Sequence, residues 1–505
     1  MNAADQLLGD DALARHGART ALVCGARTFS YAELAAKMAR AANALRAIGV
    51  QPGERVLLML RDTPEFVAAW LGAVHAGAVA VALNSKLAEA DYRHMVADSQ
   101  ARVLIADEGL LPVLGTLGAE LEHAQHLVRS ADWQAQTARA APHAQAHTVR
   151  DGDAAFWLFS SGTTGRPKGI VHGHKSVLAA GQAQREVLGL GPGDTVFATS
   201  KLFFAYALET GMLGPLALGA TALLHPDWPD IEHVRALVER HRPTAVFSVP
   251  TFYRRLLALP AAQLTSFREV RHFVSAGERL PQPVFEGWRS AIGREILGIY
   301  GMSETFCVIM MSPQGSGGAL RGGKPLSGVQ ARLLADGARE VADGETGVLW
   351  VRHPALSPGY ANRPDATREQ FRDGWFCTRD LFVRDAEGFY AHQGRSDELL
   401  KVAGQWVQPG ELEEAVLGLA AVAEAACVAA PDGDGFERLA LFVAARGADA
   451  AAAVAAAEHA CAQTLPKHKR PKWIVPVEAL PRTATGKVQR FKLRELLAQA
   501  RAGKY

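Results

Sequence analysis

Cysteine is scarce and unpaired in this chain. Five stand among 505 residues, Cys24, Cys307, Cys377, Cys427 and Cys461, and no two form a C-x-x-C pair. The odd count and wide spacing exclude a disulfide framework, suggest no zinc site and point to a reducing, cytoplasmic compartment. A surplus of one charge is also missing: 54 Lys and Arg face 52 Asp and Glu, a net +2. A chain whose main partner is nucleic acid is expected to be strongly basic, so that class is set aside. No apolar run approaches the ~20 residues of a membrane span. The opening MNAADQLLGDDALARHG has early acids where a signal peptide carries an apolar core. What is present is 49% hydrophobic and 21% charged, an ordinary globular composition. At about 150 residues per domain the length implies roughly two to four units.

Short apolar runs alternate with longer helical patterns. TALVCGA precedes SYAELAAKMARAANALRAIGV, where Ser30 reads as an N-cap with Glu33 three residues on. RVLLML, VAVALN, ARVLIAD, ATALLH and TAVFSVP continue the rhythm, with TPEFVAAWLGAVHAG as an intervening helix. Such alternation predicts α/β layers with largely parallel, buried sheets. After Gly322 the strands shorten and Gly and Asp turns multiply, which predicts a smaller β-rich subdomain. After Gly394 the pattern becomes strand, turn and helix, then an alanine-rich helix over 448–462 and the basic loop PKHKRPK. The boundary falls near Arg395–Asp397, dividing the chain into 1–396 and 397–505.

One stretch carries distinctive chemistry. SSGTTGRPKG, residues 160–169, follows the apolar run AAFWLF. Backbone N–H groups in a Gly-rich turn can converge on one anion, and small residues let a phosphate come close. Ser160, Ser161, Thr163 and Thr164 add hydroxyl donors beside Gly162 and Gly165, and Lys168 adds charge. The lysine follows Arg166-Pro167 and precedes Gly169, so the loop fails the G-x-x-x-x-G-K-[ST] pattern of common NTPases.

FSSGTTGRPKGIVHGH resembles the phosphate-loop signature of the acyl-adenylate-forming superfamily, which includes acyl- and aryl-CoA ligases. Four further stretches resemble its motifs in the family's order: YGMSET (300–305), CTRDL (377–381), GRSDELLKVAGQWVQPGELE (394–413) and PRTATGKVQR (481–490). The family more often has Gly where Arg379 stands. The resemblance implies ATP-dependent activation of a carboxylic acid as an acyl-adenylate, with a thiol attacking next. It implies Glu304 as the Mg²⁺ ligand, Ser303 as a phosphate donor, and Asp380 on the ribose hydroxyls with Arg395 nearby. Tyr300, Gly301, Gly277 and Glu278 would surround the nucleotide base. Lys487 would be the mobile catalytic lysine beside the substrate carboxylate and α-phosphate, suiting a flexible point charge. Lys168 and Glu304 complete the catalytic set. Asp397 matches the position about which the C-terminal domain swings, and Gly404 would line a pantetheine tunnel.

KLFFAYALETG (201–211) resembles the corresponding stretch of benzoate-type CoA ligases. Phe203, Phe204, Ala205 and Tyr206 would flank the acid. Pro250 and Tyr253 would form an opposite wall, and Ala276, Met302 and Cys307 would lie near the ring. Aromatic walls suit a flat acid. Phe306-Cys307-Val308-Ile309 departs from the benzoate ligases, which often carry His near the Cys307 position. Benzoate-like, substituted, heteroaryl and other compact acids therefore stay open. Lys467, Lys469, Arg470 and Lys472 are a basic run that could clamp CoA phosphates, with a solvated surface as the alternative. No carrier domain is attached after Lys487, which favours free CoA over a carrier-protein phosphopantetheine as acceptor. A non-catalytic nucleotide-binding protein would be expected to lack Lys487, Glu304 or Asp380, and all three are present. The expected partners are a small acid, ATP, Mg²⁺ and CoA, with neither nucleic acid nor membrane, and a homodimer is compatible.

Overall fold

The computed structural model describes residues 1–116, 126–161, 167–335, 337–402, 405–482 and 488–501. Two large sheets and a smaller antiparallel one make up the N-terminal part. The seven-stranded sheet runs Gly359–Tyr360, Pro167–Gly173, Ala154–Ser161, Val79–Ala82, Arg55–Met59, Val103–Ala106, His126–Arg129. The nine-stranded sheet is parallel from Ile296–Tyr300 through His272–Ser275, Ala245–Ser248, Thr195–Ala198 and Thr221–Leu224 to Thr20–Cys24. Antiparallel edges close both of its ends. VAVA at 79–82 is buried at every position. A strand covered on both faces has no reason to alternate polar residues, which is why it reads as a continuous apolar run.

Two helices help to join the sheets into one core. Tyr31–Ala47 begins with the full capping box, Ser30 with Glu33. Pro64–His75 is buried at every position except Glu65. The two approach so closely that a Cβ on Gly72 would lie 2.6 Å from the Ala41 Cβ, so glycine permits the crossing. Trp70, Phe156 and Tyr31 pack into the core they share with side chains of both sheets.

The smaller sheet is antiparallel: Arg339–Glu340, Gln330–Ala335, Thr346–Arg352, Trp375–Arg384 and Phe371–Arg372, with Tyr390–Arg395 also pairing to Trp375–Arg384. It is the β-rich region expected after Gly322. The C-terminal domain is α+β. Its sheet joins Val422–Pro431, Glu437–Ala445 and Trp473–Val477. The alanine run forms the helix Ala450–Thr464. Only Ala453, Ala457 and Cys461 of that helix are buried, four residues apart on one face.

Candidate active site

Three sheets bring side chains to one place. The strand Ile296–Tyr300 ends at Tyr300, whose hydroxyl donates to Asp380 Oδ2 at 2.6 Å. Asp380 and Arg395 are directly opposite on paired strands, and Arg395 Nη1 donates to Asp380 Oδ1 at 3.1 Å. The Asp380 carboxylate is nearly buried. Burial opposes its charge, yet His392, Arg395 and Tyr300 together outweigh that and hold the carboxyl below its usual range. Arg395 also forks onto Asp397, with both N–O distances 2.8 Å. The proposed sugar ligand and the expected hinge residue thus share one guanidinium.

A second polar cluster, around Lys168 and Glu304, lies beside this network. Ser160 and Ser161 end the strand Ala154–Ser161, and Lys168 pairs opposite Ser160 on the returning strand. Lys168 Nζ sits 3.4 Å from Glu304 Oε1 and 3.7 Å from the centroid of the Tyr360 ring. The Tyr360 hydroxyl is 2.8 Å from Glu304 Oε1 and 2.9 Å from Gln370 Oε1. Burial pushes the Lys168 ammonium down, Glu304 opposes that, and the Arg379 and Arg395 guanidiniums add to it. Behind them His172 is fully buried and its Nε2 donates to the Ser303 carbonyl at 2.8 Å. Burial lowers this imidazole to about 3, so it is neutral and locks the backbone beside Glu304. Gly162, Thr163, Thr164, Gly165, Gly404 and Lys487 lie outside the described residues.

The aromatic stretch is anchored from below. Lys201 Nζ is 2.9 Å from Asp62 Oδ2, and also donates to the carbonyls of Pro226 (3.2 Å) and Asp227 (3.0 Å). Both partners are buried. Asp62 is pushed up to about 6, because burial exceeds the help from Lys201. This pair fixes the turn from which Phe203 and Phe204 project, their centroids 4.3 Å apart. Tyr206 follows, and its hydroxyl donates to Ser248 O at 3.1 Å. Phe204, Ala205, Tyr206, Ala276 and Met302 are half-buried, and Gly277, Glu278 and Gly301 are exposed.

Pro250 starts the helix Pro250–Leu257 and is buried. The Tyr253 ring packs in the interior against Phe273 and Trp288, and its hydroxyl donates to Val274 O at 2.9 Å. Cys307 is likewise fully buried, with its thiol 3.4 Å from Ser176 O. These two side chains therefore stand behind the exposed wall.

Glu209 escaped the reading of the sequence. It lies in a π-helical turn, Leu208–Leu213, and is 3% exposed. Both its oxygens face the Val308 N–H, at 3.1 and 3.0 Å. Burial pushes its carboxyl up to about 8. Phe306, two residues earlier, has φ +55, a rare conformation for a bulky side chain. A carboxyl thus pins the segment 306–309. Tyr360 and His172 also went unassigned. His172 stands inside the phosphate-loop signature, but a lone His gives no sign of its contact with Ser303.

The basic run of the C-terminal domain is largely engaged within it. Lys469 pairs with Glu411, and Lys472 lies 2.9 Å from Asp432. Arg470 donates to the carbonyls of Ala462 and Leu465, at the end of an α-helix. The domain touches the N-terminal part through Arg279–Glu414, Arg254 to Ala423 O at 3.1 Å, and Arg482–Glu278 at 3.8 Å. The last contact brings Arg482 to the loop of Gly277 and Glu278.

Residues 9–361 match the model of the AMP-binding enzyme family, and residues 411–487 match that of the AMP-binding enzyme C-terminal domain. The chain is 42% identical to a 3-hydroxybenzoate–CoA/4-hydroxybenzoate–CoA ligase of Thauera aromatica, over 98% of this chain and 97% of that one. It superimposes on a benzoate CoA ligase from Burkholderia xenovorans LB400 with TM-score 0.87, at 34% identity over 98% of this chain and 100% of that one. An anthranilate CoA ligase in complex with anthranoyl-AMP gives TM-score 0.91 at 32% identity, covering 99% and 98%.

The raised Glu209 carboxyl has a stability consequence. The folded protein keeps this proton up to about pH 8, whereas the unfolded chain releases it near the ordinary carboxylate value of about 4.3. Between these values the folded state binds more protons, so the stability contribution is full at low pH and is lost as pH rises. Glu209→Gln keeps an acceptor for Val308 and removes the titration. Its stability should exceed that of the wild type increasingly from pH 5 to pH 8, the difference growing by about 4 kcal/mol over that range. Thermal melts across that range check it, and a constant difference would show that Glu209 does not hold the proton.

Proposed function

We propose, from the premise that this chain belongs to the AMP-binding enzyme family, that it joins a compact aromatic acid to CoA at the expense of ATP. The carrying observation is the juxtaposition of two polar networks with an aromatic wall. Tyr300, Asp380 and Arg395 suit a sugar with adjacent hydroxyls. Lys168 suits phosphates and Glu304 the Mg²⁺ that would accompany them, and Phe204 and Tyr206 offer faces to a flat ring. The benzoate, hydroxybenzoate and anthranilate ligases it resembles support an acid of that size.

In the first half-reaction a carboxylate oxygen attacks the α-phosphorus of ATP, and the bond to pyrophosphate breaks. The developing negative charge requires fixed cations and donors. Lys168, Ser160 and the residues of the loop 162–165 supply them at the β,γ end, and Ser303 donates to a phosphate. Lys487 supplies the charge between the acid and the α-phosphate. Glu304 fits Mg²⁺ as a single protein carboxylate, because that ion is commonly held by one or two carboxylates together with substrate phosphates and water. When bound, the ion neutralises phosphate charge. In the second half-reaction the CoA thiolate attacks the acyl carbon and AMP leaves.

The domains divide at 397, and Asp397 is the pivot. Leaving the Arg279–Glu414 and Arg482–Glu278 contacts withdraws Lys487 after adenylation, and Gly404 then lines the thiol path. Such a domain step can gate turnover.

AMP release from ATP, Mg²⁺ and a panel of acids, with and without CoA, tests the whole reading. CoA-dependent turnover should be highest with benzoate-sized aryl acids. Preference for medium-chain fatty acids would make the aromatic wall ordinary core, and adenylate formation indifferent to CoA would point to a carrier protein. Lys487→Ala should slow adenylation at least ~100-fold while sparing thioester formation from supplied acyl-AMP. Phe204→Ala should raise the KM for the acid roughly tenfold without moving the KM for ATP.

A further inference from the structure

We propose that Arg379 is a binding residue for the pyrophosphate portion of ATP, exchanging its contact with Glu369 for the β- and γ-phosphate oxygens. The inference rests on the adenylation reading and deepens it. Arg379 directly precedes Asp380, at a position where the family more often has Gly. Its backbone shows why Gly suits: φ is +60, in the left-handed region. A long charged side chain here works against the backbone, so what the guanidinium reaches matters.

The surroundings fix this conformation firmly. The register of Thr346–Arg352 against Trp375–Arg384 jumps from Val348–Leu381 to Trp350–Cys377, so residues 378–380 bulge from the sheet. A bulge re-aims a side chain. The Arg379 carbonyl accepts from both the N–H and the hydroxyl of Ser396, each at 2.8 Å. The strained turn is thereby tied to the strand end carrying Arg395.

The guanidinium points toward the phosphate end. It pairs with Glu369 at 2.6 Å. The next residue, Gln370, touches Tyr360, which in turn holds Glu304 and faces Lys168. Arg379 lies within electrostatic reach of both Lys168 and Tyr360.

The partners also differ in how tightly they hold. Arg395 is gripped by two carboxylates, Asp380 and Asp397. The Glu369 side chain is 62% exposed, and an exposed ion pair contributes little. Of Lys168, Arg379 and Arg395, Arg379 is the one whose carboxylate partner among the described residues is solvent-facing and cheap to release. A polyphosphate offers a fork-shaped guanidinium more charge than that carboxylate does.

The test is equilibrium binding of MgATP and of AMP to the full-length protein by calorimetry, in the absence of acid. Arg379→Gly and Arg379→Asn should each weaken MgATP about tenfold and leave AMP unchanged. Both residues tolerate the left-handed backbone, so melting temperature should hold or rise. Arg379→Lys should recover part of the MgATP affinity. Glu369→Gln should tighten MgATP a few-fold by freeing the guanidinium. Unchanged MgATP affinity in the Gly and Asn variants would overturn the proposal, leaving Arg379 as a partner of Glu369 only. Equal losses for MgATP and AMP would also overturn it, placing the contact at the sugar or α-phosphate. Binding needs no acid, so the result is independent of turnover. Failure of the ligase reading would appear separately, as absent AMP release with every acid in the wild type.

Discussion

Like charges must be held together here against their own repulsion. Lys168, Arg379 and Arg395 act on one another around two nearly buried carboxylates, Glu304 and Asp380. In water such a group would disperse. It persists because each member is fixed by something else: Lys168 by a paired strand and the Tyr360 face, Arg395 by two carboxylates, Arg379 by a bulge clamped through Ser396. A substrate carrying several phosphate charges relieves that repulsion, and the reorganisation has already been met by folding. On the proposed reading, the cations that disfavour one another are the ones ATP would meet.

The fold supplies this rigidity by drawing on three sheets. Lys168 comes from the seven-stranded sheet, Tyr300 from the nine-stranded one, and Asp380 with Arg395 from the small antiparallel sheet. Gly359–Tyr360 is the short edge strand of the seven-stranded sheet, pairing with Ile170 and Val171. That pairing places the Tyr360 ring over Lys168. No single element could hold these groups, yet each sits on or next to a strand, where position is better fixed than in a free loop.

Much of this was legible from residue order. The alternation of buried strands and amphipathic helices gave the α/β layers, Ser30 and Glu33 marked their helix, and Asp380 and Arg395 could be named before their strands were known to pair. What could not be read shares one physical cause. Tyr360, His172, Asp62 and Glu209 act through partners between 10 and 140 residues away, such as Glu304, Ser303, Lys201 and Val308. A local pattern carries no trace of such a partner. Tyr253 and Cys307 illustrate the converse. Both were expected beside the acid, but the helix and the turn that carry them set these two side chains in the core.

Glu209 shows how an apolar pocket can depend on a polar group behind it. The segment 306–309 must leave one backbone N–H, that of Val308, facing the interior. An orphaned buried donor is costly, and water is one alternative partner. A carboxyl delivered from the π-helical turn answers that donor without opening a wet cavity. It can do so at neutral pH only by keeping its proton, since burial disfavours the ionised form more than the Val308 N–H favours it. The neutral acid in turn stabilises the left-handed turn at Phe306, whose ring packs edge-on against Phe156, 4.7 Å away. Changes at 306–308 therefore act on a strained segment with one fixed point. Substitutions that preserve the Val308 contact can be absorbed, whereas those that move Val308 leave both a donor and an acid unsatisfied in the core.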